Sequence, residues 1–365
     1  MFTNCKISDR QLKKMLLFDL ISISILIIPC IAARGAGKDG LLAIIAAGAA
    51  AVCYGLMMLC FCKQIKIDYI SYSQNTLGKF FFFLFGLFYL VKFFCSAVFV
   101  LSLFTSVIHE TLLANTDNRV ILFWLLLVSV YYASKMMEVR ARIAELLYYP
   151  VLIPLLLLFL LGFFKISPAN LLPLAITGTT PVLKTGYAVL LTFSAAELIL
   201  FATPSVSGAD ENNKFRRKVI QAIILASVFN LVVFVVVTGL LGVSGASSRL
   251  WSTISVMQMI EIPGGFVHRQ DALMLSLWLS SIFTITSTLF YYLCHVTKSM
   301  TGITKQRYIM GAYAAVLFLI AMRPLNLEAL AYYFGKYIAF IGFPQSILLP
   351  LLVILVGRFR KEADT

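Results

Sequence analysis

The stretch Leu16-Leu17-Phe18-Asp19-Leu20-Ile21-Ser22-Ile23-Ser24-Ile25-Leu26-Ile27-Ile28-Pro29 is apolar on every face of a helix, with one carboxylate and two hydroxyls set into it. Within a longer run this apolar, it belongs to a bilayer span, where an ionisable group is costly and calls for a partner or a task. Pro29 removes one backbone donor and disfavours helical geometry at the residue before it. Two readings follow. The helix is kinked at Pro29, or it comes apart mid-membrane and its freed amides and carbonyls hold a solute. A second stretch repeats the theme: Leu191-Thr192-Phe193-Ser194-Ala195-Ala196-Glu197-Leu198-Ile199-Leu200-Phe201-Ala202-Thr203-Pro204. Interrupted spans at matching positions in two halves of a chain are a mark of inverted-repeat transporters.

The rest of the chain agrees with a membrane setting. Its 365 residues are 61% hydrophobic and 13% charged, with a mean hydropathy of +0.93. Soluble domains are about 45–50% apolar and about 25% charged. That difference excludes a water-soluble enzyme and a nucleic-acid-binding domain. Apolar runs predict ten spans near 12–34, 40–62, 80–108, 119–134, 143–164, 185–205, 218–242, 271–296, 308–322 and 337–357. They form a single membrane domain over 1–365, with one five-helix repeat at 12–164 and a second at 185–357. An odd number of crossings per repeat forces the second to run upside down relative to the first.

The net charge of +14 sits in short clusters between apolar runs, which orients a membrane protein and requires no nucleic acid. Twenty basic residues fall on the side of the termini and nine on the other, placing both termini in the cytoplasm. Lys13-Lys14 before the first apolar run imitates a signal peptide, and Ile27-Ile28-Pro29-Cys30 faintly imitates a lipoprotein cleavage box. Proline before the cysteine and the many later spans favour a retained first helix. Seven cysteines, an odd number mostly inside apolar runs, predict free thiols. The three histidines lack metal-ligand spacing.

Lys92 lies about twelve residues into the third span, roughly 18 Å deep at 1.5 Å per residue, close to the midplane. Tyr89, Lys92 and Ser96 share one helical face. Glu197 is at similar depth and is the expected partner of Lys92, with Asp19 as the fallback. The eighth span carries Ser276, Ser280, Thr284 and Ser287 on one face, suited to helix packing or to a solute. Ala47, Ala51 and Gly55 in the second span predict close helix approach. Residues 250–262 read as an amphipathic interfacial helix anchored by Trp251. No nucleophile–base pairing or metal-ligand cluster suggests an enzyme.

Taken in order, several stretches resemble the spore-germination permease family, the integral-membrane B subunit of nutrient germinant receptors. They are Ile7-Ser8-Asp9-Arg10-Gln11, Ile28-Pro29 with Ala32, Ala33 and Gly35, and Glu138-Val139-Arg140-Ala141-Arg142-Ile143-Ala144-Glu145. Asn170-Leu171-Leu172-Pro173, Glu197 with Pro204, and residues 262–271 running into Trp278 complete the set. The resemblance runs nearly end to end and places the chain in the amino acid–polyamine–organocation transporter superfamily. It implies an all-α polytopic membrane fold, ten transmembrane helices in a LeuT-like five-plus-five inverted repeat, with helices 1 and 6 broken.

By the same resemblance, the ligand would lie between spans 1 and 6 and spans 3 and 8. Together with the polar positions above, this points to Ser22, Ile23, Ser24, Lys92, Ser96, Ser194, Ala195, Ala196, Glu197, Ser280 and Thr284. The implied function is a receptor subunit that binds a small germinant, an amino acid by expectation, and triggers germination together with A- and C-type subunits. The implied location is the cell membrane or spore inner membrane. The alternative is a secondary active amino acid transporter coupled to protons or sodium. No cofactor is expected. Superfamily relatives carry glycines where Ser22-Ile23-Ser24 stands here. No lysine lies between Glu145 and Lys165, so the coupling mode of relatives with a span 5 lysine does not carry over.

Overall fold

The computed structural model describes residues 6–65, 68–206, 213–249, 251–260, 270–303, 305–323 and 326–363. The first helix, α1 (Asp9–Ala36), starts at a capping box. Ser8 Oγ accepts from the Gln11 amide and Gln11 Oε1 accepts from the Ser8 amide, which satisfies two otherwise orphaned donors. It ends at Gly37, whose φ of 57° a side chain would oppose. A 3₁₀ turn at Gly37–Asp39 leads to α2 (Gly40–Gln64).

Next come α3 (Tyr69–Thr111), bent at Gly78 with φ 75°, then α4 (Asn118–Ala133) and α5 (Met137–Phe163). The second half opens with α6 (Thr179–Leu191), a 3₁₀ stretch at Thr192–Glu197, and the short α7 (Leu198–Ala202). It continues with α8 (Asn213–Ser248), α9 (Ser252–Met259), α10 (Gln270–Thr301), α11 (Gln306–Ala321) and α12 (Leu327–Tyr337). A π-helical turn at Ile338–Gly342 joins α12 to α13 (Phe343–Ala363).

Among the described residues there is no strand, only an isolated parallel bridge that pins Ile7 to Val206. Seven stretches of the described residues are long and apolar enough to cross a membrane; the first contains both α1 and α2, and α4 and α11 are shorter apolar helices. Large apolar side chains such as Phe80, Phe81, Phe83 and Leu156 point outward, the surface a bilayer solvates and water does not. The chain is an integral membrane protein built of helices.

The small-residue stripe of α2 does what its composition predicts. Ala47 and Ala51 are buried, and a Cβ on Gly55 would collide with Ile223 of α8.

One expectation is overturned. Helix 1 is not broken: α1 winds without interruption through Ser22-Ile23-Ser24 and past Pro29. The reason is a donor brought from far along the chain. Pro29 lacks the N–H that the carbonyl of Ile25 would accept, and Thr253 Oγ1 of α9 donates to that carbonyl at 2.7 Å. The serines also have partners. Ser22 Oγ bonds to the Phe18 and Ser281 carbonyls at 2.5 and 3.0 Å, and Ser24 Oγ donates to Asn230 Oδ1 at 2.9 Å.

The same contacts correct the reading of α9. Ser252, Thr253, Ile254, Val256 and Met257 are buried inside the bundle, so α9 is a plug against α1 and α8 and not an interfacial helix. The remainder of the 250–262 segment, at 250 and 261–262, lies outside the described residues, as does most of the 262–271 stretch.

Candidate ligand-binding cavity

Span 6 is not broken either, running as one helical stretch over Thr179–Ser205, but it departs from the regular geometry of α1. Its helix tightens to 3₁₀ geometry at Thr192–Glu197, where Thr192 Oγ1 donates to the Val189 carbonyl at 2.7 Å and competes with the backbone ladder. That tightening sits opposite α1 and carries Ser194, Ala195 and Glu197 to the wall of a cavity of about 520 Å³. On α1 the wall residues are Asp19, Ile23, Ile27, Cys30, Ile31 and Arg34, one helical face. Fifteen residues separate Asp19 from Arg34, so the cavity runs about 22 Å along the helix.

Most of the remaining wall is apolar, with Phe93, Val100, Leu191, Leu198, Ile285 and Leu289 among its residues. At the end away from the termini stand Arg34, whose Nε donates to the Ser247 carbonyl at 2.6 Å, and Lys336 over the Tyr332 ring. At the other end Phe93 belongs to an aromatic cluster with Tyr69, Tyr89, Phe201 and Tyr292, ring centroids 5.1–6.2 Å apart. Four of these contacts, Tyr69–Tyr89, Tyr69–Phe201, Tyr89–Phe201 and Phe93–Phe201, are edge to face, a favoured packing of aromatic rings.

Next to Phe93 and its aromatic cluster, Lys92 Nζ meets Glu197 Oε1 at 2.7 Å, with both side chains 3% exposed. Lys92 also donates to the Gly342 carbonyl at 2.7 Å, in the π-helical turn between α12 and α13. An inserted residue in a helix frees backbone acceptors, and such turns recur at functional positions. The pairing predicted from matching depth is therefore present, and it ties three spans together. Glu197 Oε2 accepts nothing in this arrangement.

The other expected site residues divide. Ile23, Lys92, Ser96, Ser194, Ala195 and Glu197 line the cavity. Ser22, Ser24, Ala196, Ser280 and Thr284 are not among its lining residues. The first two spend their hydroxyls on the contacts given above. Thr284 Oγ1 turns onto the Ser280 carbonyl at 3.3 Å, the self-satisfied state that the α10 stripe also allowed.

Arg140 stands in a basic cluster at the start of span 5, where a charge reads as a loop residue, yet the structure buries it at 1% exposure in the first turn of α5. Its Nη2 donates to Thr288 Oγ1 at 2.6 Å, and its guanidinium lies 4.8 Å from the Tyr291 ring centroid. Asp19 at the cavity floor lies within electrostatic reach of Arg140, so the opposite charge facing it comes from α5 and not from Lys92. The absence of any other explanation for Asp19 was the available hint.

A family comparison settles the kinship these features suggest. The spore germination protein family matches residues 6–329. The chain belongs to that family. Spore germination protein YndE of Bacillus subtilis (strain 168) is 23% identical over 98% of both chains. Spore germination proteins B2 and KB of the same organism are 24% and 25% identical, each over 98% of this chain and 96% of the relative. Among solved structures, the substrate-bound outward-open state of a Na⁺-coupled sialic acid symporter superposes with a TM-score of 0.68. It is 14% identical and covers 96% of this chain and 80% of its own. At that identity the likeness is one of fold.

Proposed function

We propose that this chain is the membrane subunit of a nutrient germinant receptor, holding a small zwitterionic germinant, an amino acid, in the cavity between α1, α3 and span 6. Its ten spans form two inverted repeats of five, and both termini face the cytoplasm of the spore inner membrane. Binding biases an equilibrium between two arrangements of the bundle, and A- and C-type partner subunits read the bias. A ligand acts in this way only if it binds the two arrangements unequally. No catalytic chemistry is assigned to the site. The observation that carries the reading is the buried Lys92–Glu197 pair on the wall of an otherwise apolar cavity, in a chain of the spore germination protein family.

The symporter-like fold favours one second reading, a secondary active amino acid transporter. Uptake of labelled amino acid by the purified protein in liposomes separates the two. Saturable binding without accumulation supports the receptor. Concentrative uptake driven by a proton or sodium gradient replaces it.

A further inference from the structure

Because α1 is continuous, its backbone amides at mid-depth are engaged within the helix and offer no carboxylate a place to dock. Of the other polar groups on the cavity wall in this part, Asp19 faces Arg140, and Ser96, Thr192 and Ser194 are uncharged; the ion pair alone, among the described residues there, sets a donor and an acceptor of full charge side by side. A lysine ammonium has three donors. Two go to Glu197 Oε1 and the Gly342 carbonyl, which leaves one. Beside it, Glu197 Oε2 is a buried acceptor without a partner. One donor and one acceptor of full charge, side by side, match the carboxylate and ammonium on the α-carbon of an amino acid.

The rest of the wall is mostly apolar, with Ile23, Ile27, Val100, Leu198, Ile285 and Leu289 among its residues, and offers little to satisfy a hydroxyl or amide side chain. We infer that the Lys92–Glu197 pair is itself the head-group site, and that the ligand is an α-amino acid with a branched apolar side chain lying along the α1 face of the cavity. This rests on the germinant-binding reading and sharpens it by naming the ligand class and the groups that recognise it.

The test uses the full chain in lipid nanodiscs, with tritiated L-leucine as the probe and three competitors. L-alanine lacks three apolar carbons and is expected to compete about fiftyfold more weakly. Isoamylamine keeps the amine without the carboxylate, and 4-methylpentanoate keeps the carboxylate without the amine. Each loses one charge-assisted bond and is expected to be about thirtyfold weaker.

Substituting Lys92 or Glu197 endangers the fold, so Ala195→Leu serves as the second arm. It narrows the trough without touching the pair, and is expected to weaken L-leucine more than L-alanine. If isoamylamine or 4-methylpentanoate competes as well as L-leucine, the head-group assignment falls while the receptor reading stands. If L-alanine equals L-leucine, or Ala195→Leu weakens both alike, the side-chain assignment falls. If the intact protein binds no amino acid, the amino acid reading of the cavity falls with it.

Discussion

Spans 1 and 6 carry the same local pattern, polar residues followed by a proline, yet α1 stays whole while span 6 tightens into a 3₁₀ stretch. The difference is made by neighbours. In α1, Thr253 replaces the donor that Pro29 lacks, and Ser22 and Ser24 are tied to α10 and α8. In span 6 the only strong long-range tie within the 3₁₀ stretch, among the described residues, is the ion pair of Glu197 with Lys92. Polar residues ahead of a proline thus mark where a membrane helix is able to depart from α geometry, and the partners that the tertiary structure supplies decide whether it does.

The largest expected effect comes from the tie on span 6. Lys92→Met or Glu197→Gln alone strands a buried charge or its partner and is expected to cost about 3–5 kcal/mol, while the double variant recovers most of it. Unfolding of the three variants in nanodiscs, against the unsubstituted chain, checks this. A loss in the double variant equal to the sum of the two single losses would mean that the pair is not coupled.

The tie on α1 is worth less. Thr253→Val leaves the Ile25 carbonyl unpaired and is expected to cost about 1–3 kcal/mol, with faster amide exchange near residues 25–30. In a Pro29→Ala background the restored amide supplies the missing donor, so the same substitution should become nearly neutral. A full cost in both backgrounds would break the comparison between the two spans.

The smallest effect concerns Asp39, beyond the end of α1, where it secures the loop leading to α6. Its carboxylate accepts the Thr177 amide at 2.6 Å and the Ala175 amide at 2.5 Å. The Thr177 amide and hydroxyl hold its carboxyl below the usual carboxylate range. Asp39 is covered by the loop it secures, at the rim of the bundle. A depressed carboxyl pKa stabilises the fold above the unfolded value, and that stability is lost as pH falls through the folded value. The expected outcome is a modest loss of thermal stability as pH falls below about 4, absent in Asp39→Asn. An unchanged acid profile in that variant would remove Asp39 from the account.

The residues that were legible in the sequence are those whose chemistry acts locally or by depth. Composition places the chain in the membrane, the Ala47-Ala51-Gly55 stripe predicts a close approach, and the shared depth of Lys92 and Glu197 predicts their pairing. The capping box at Ser8 and Gln11 explains physically why the Ile7–Gln11 stretch precedes the first span. What was not legible depends on donors delivered from distant segments. Thr253 meets Ile25 across 228 positions, and Arg140 meets Thr288 across 148. Arg140 sits among other cations at the start of span 5, so its pattern is that of a loop charge. The π-turn carbonyl of Gly342 leaves no mark in composition.

Cryo-electron microscopy of the chain in lipid nanodiscs, at a resolution that separates helical turns, tests the central claim most directly. The account predicts unbroken density for α1 from Asp9 to Ala36, the Thr253 hydroxyl against the Ile25 carbonyl, and Lys92 in contact with Glu197 at the wall of an open cavity. Density that parts within residues 22–26, with Thr253 turned away and Lys92 facing lipid, would contradict it.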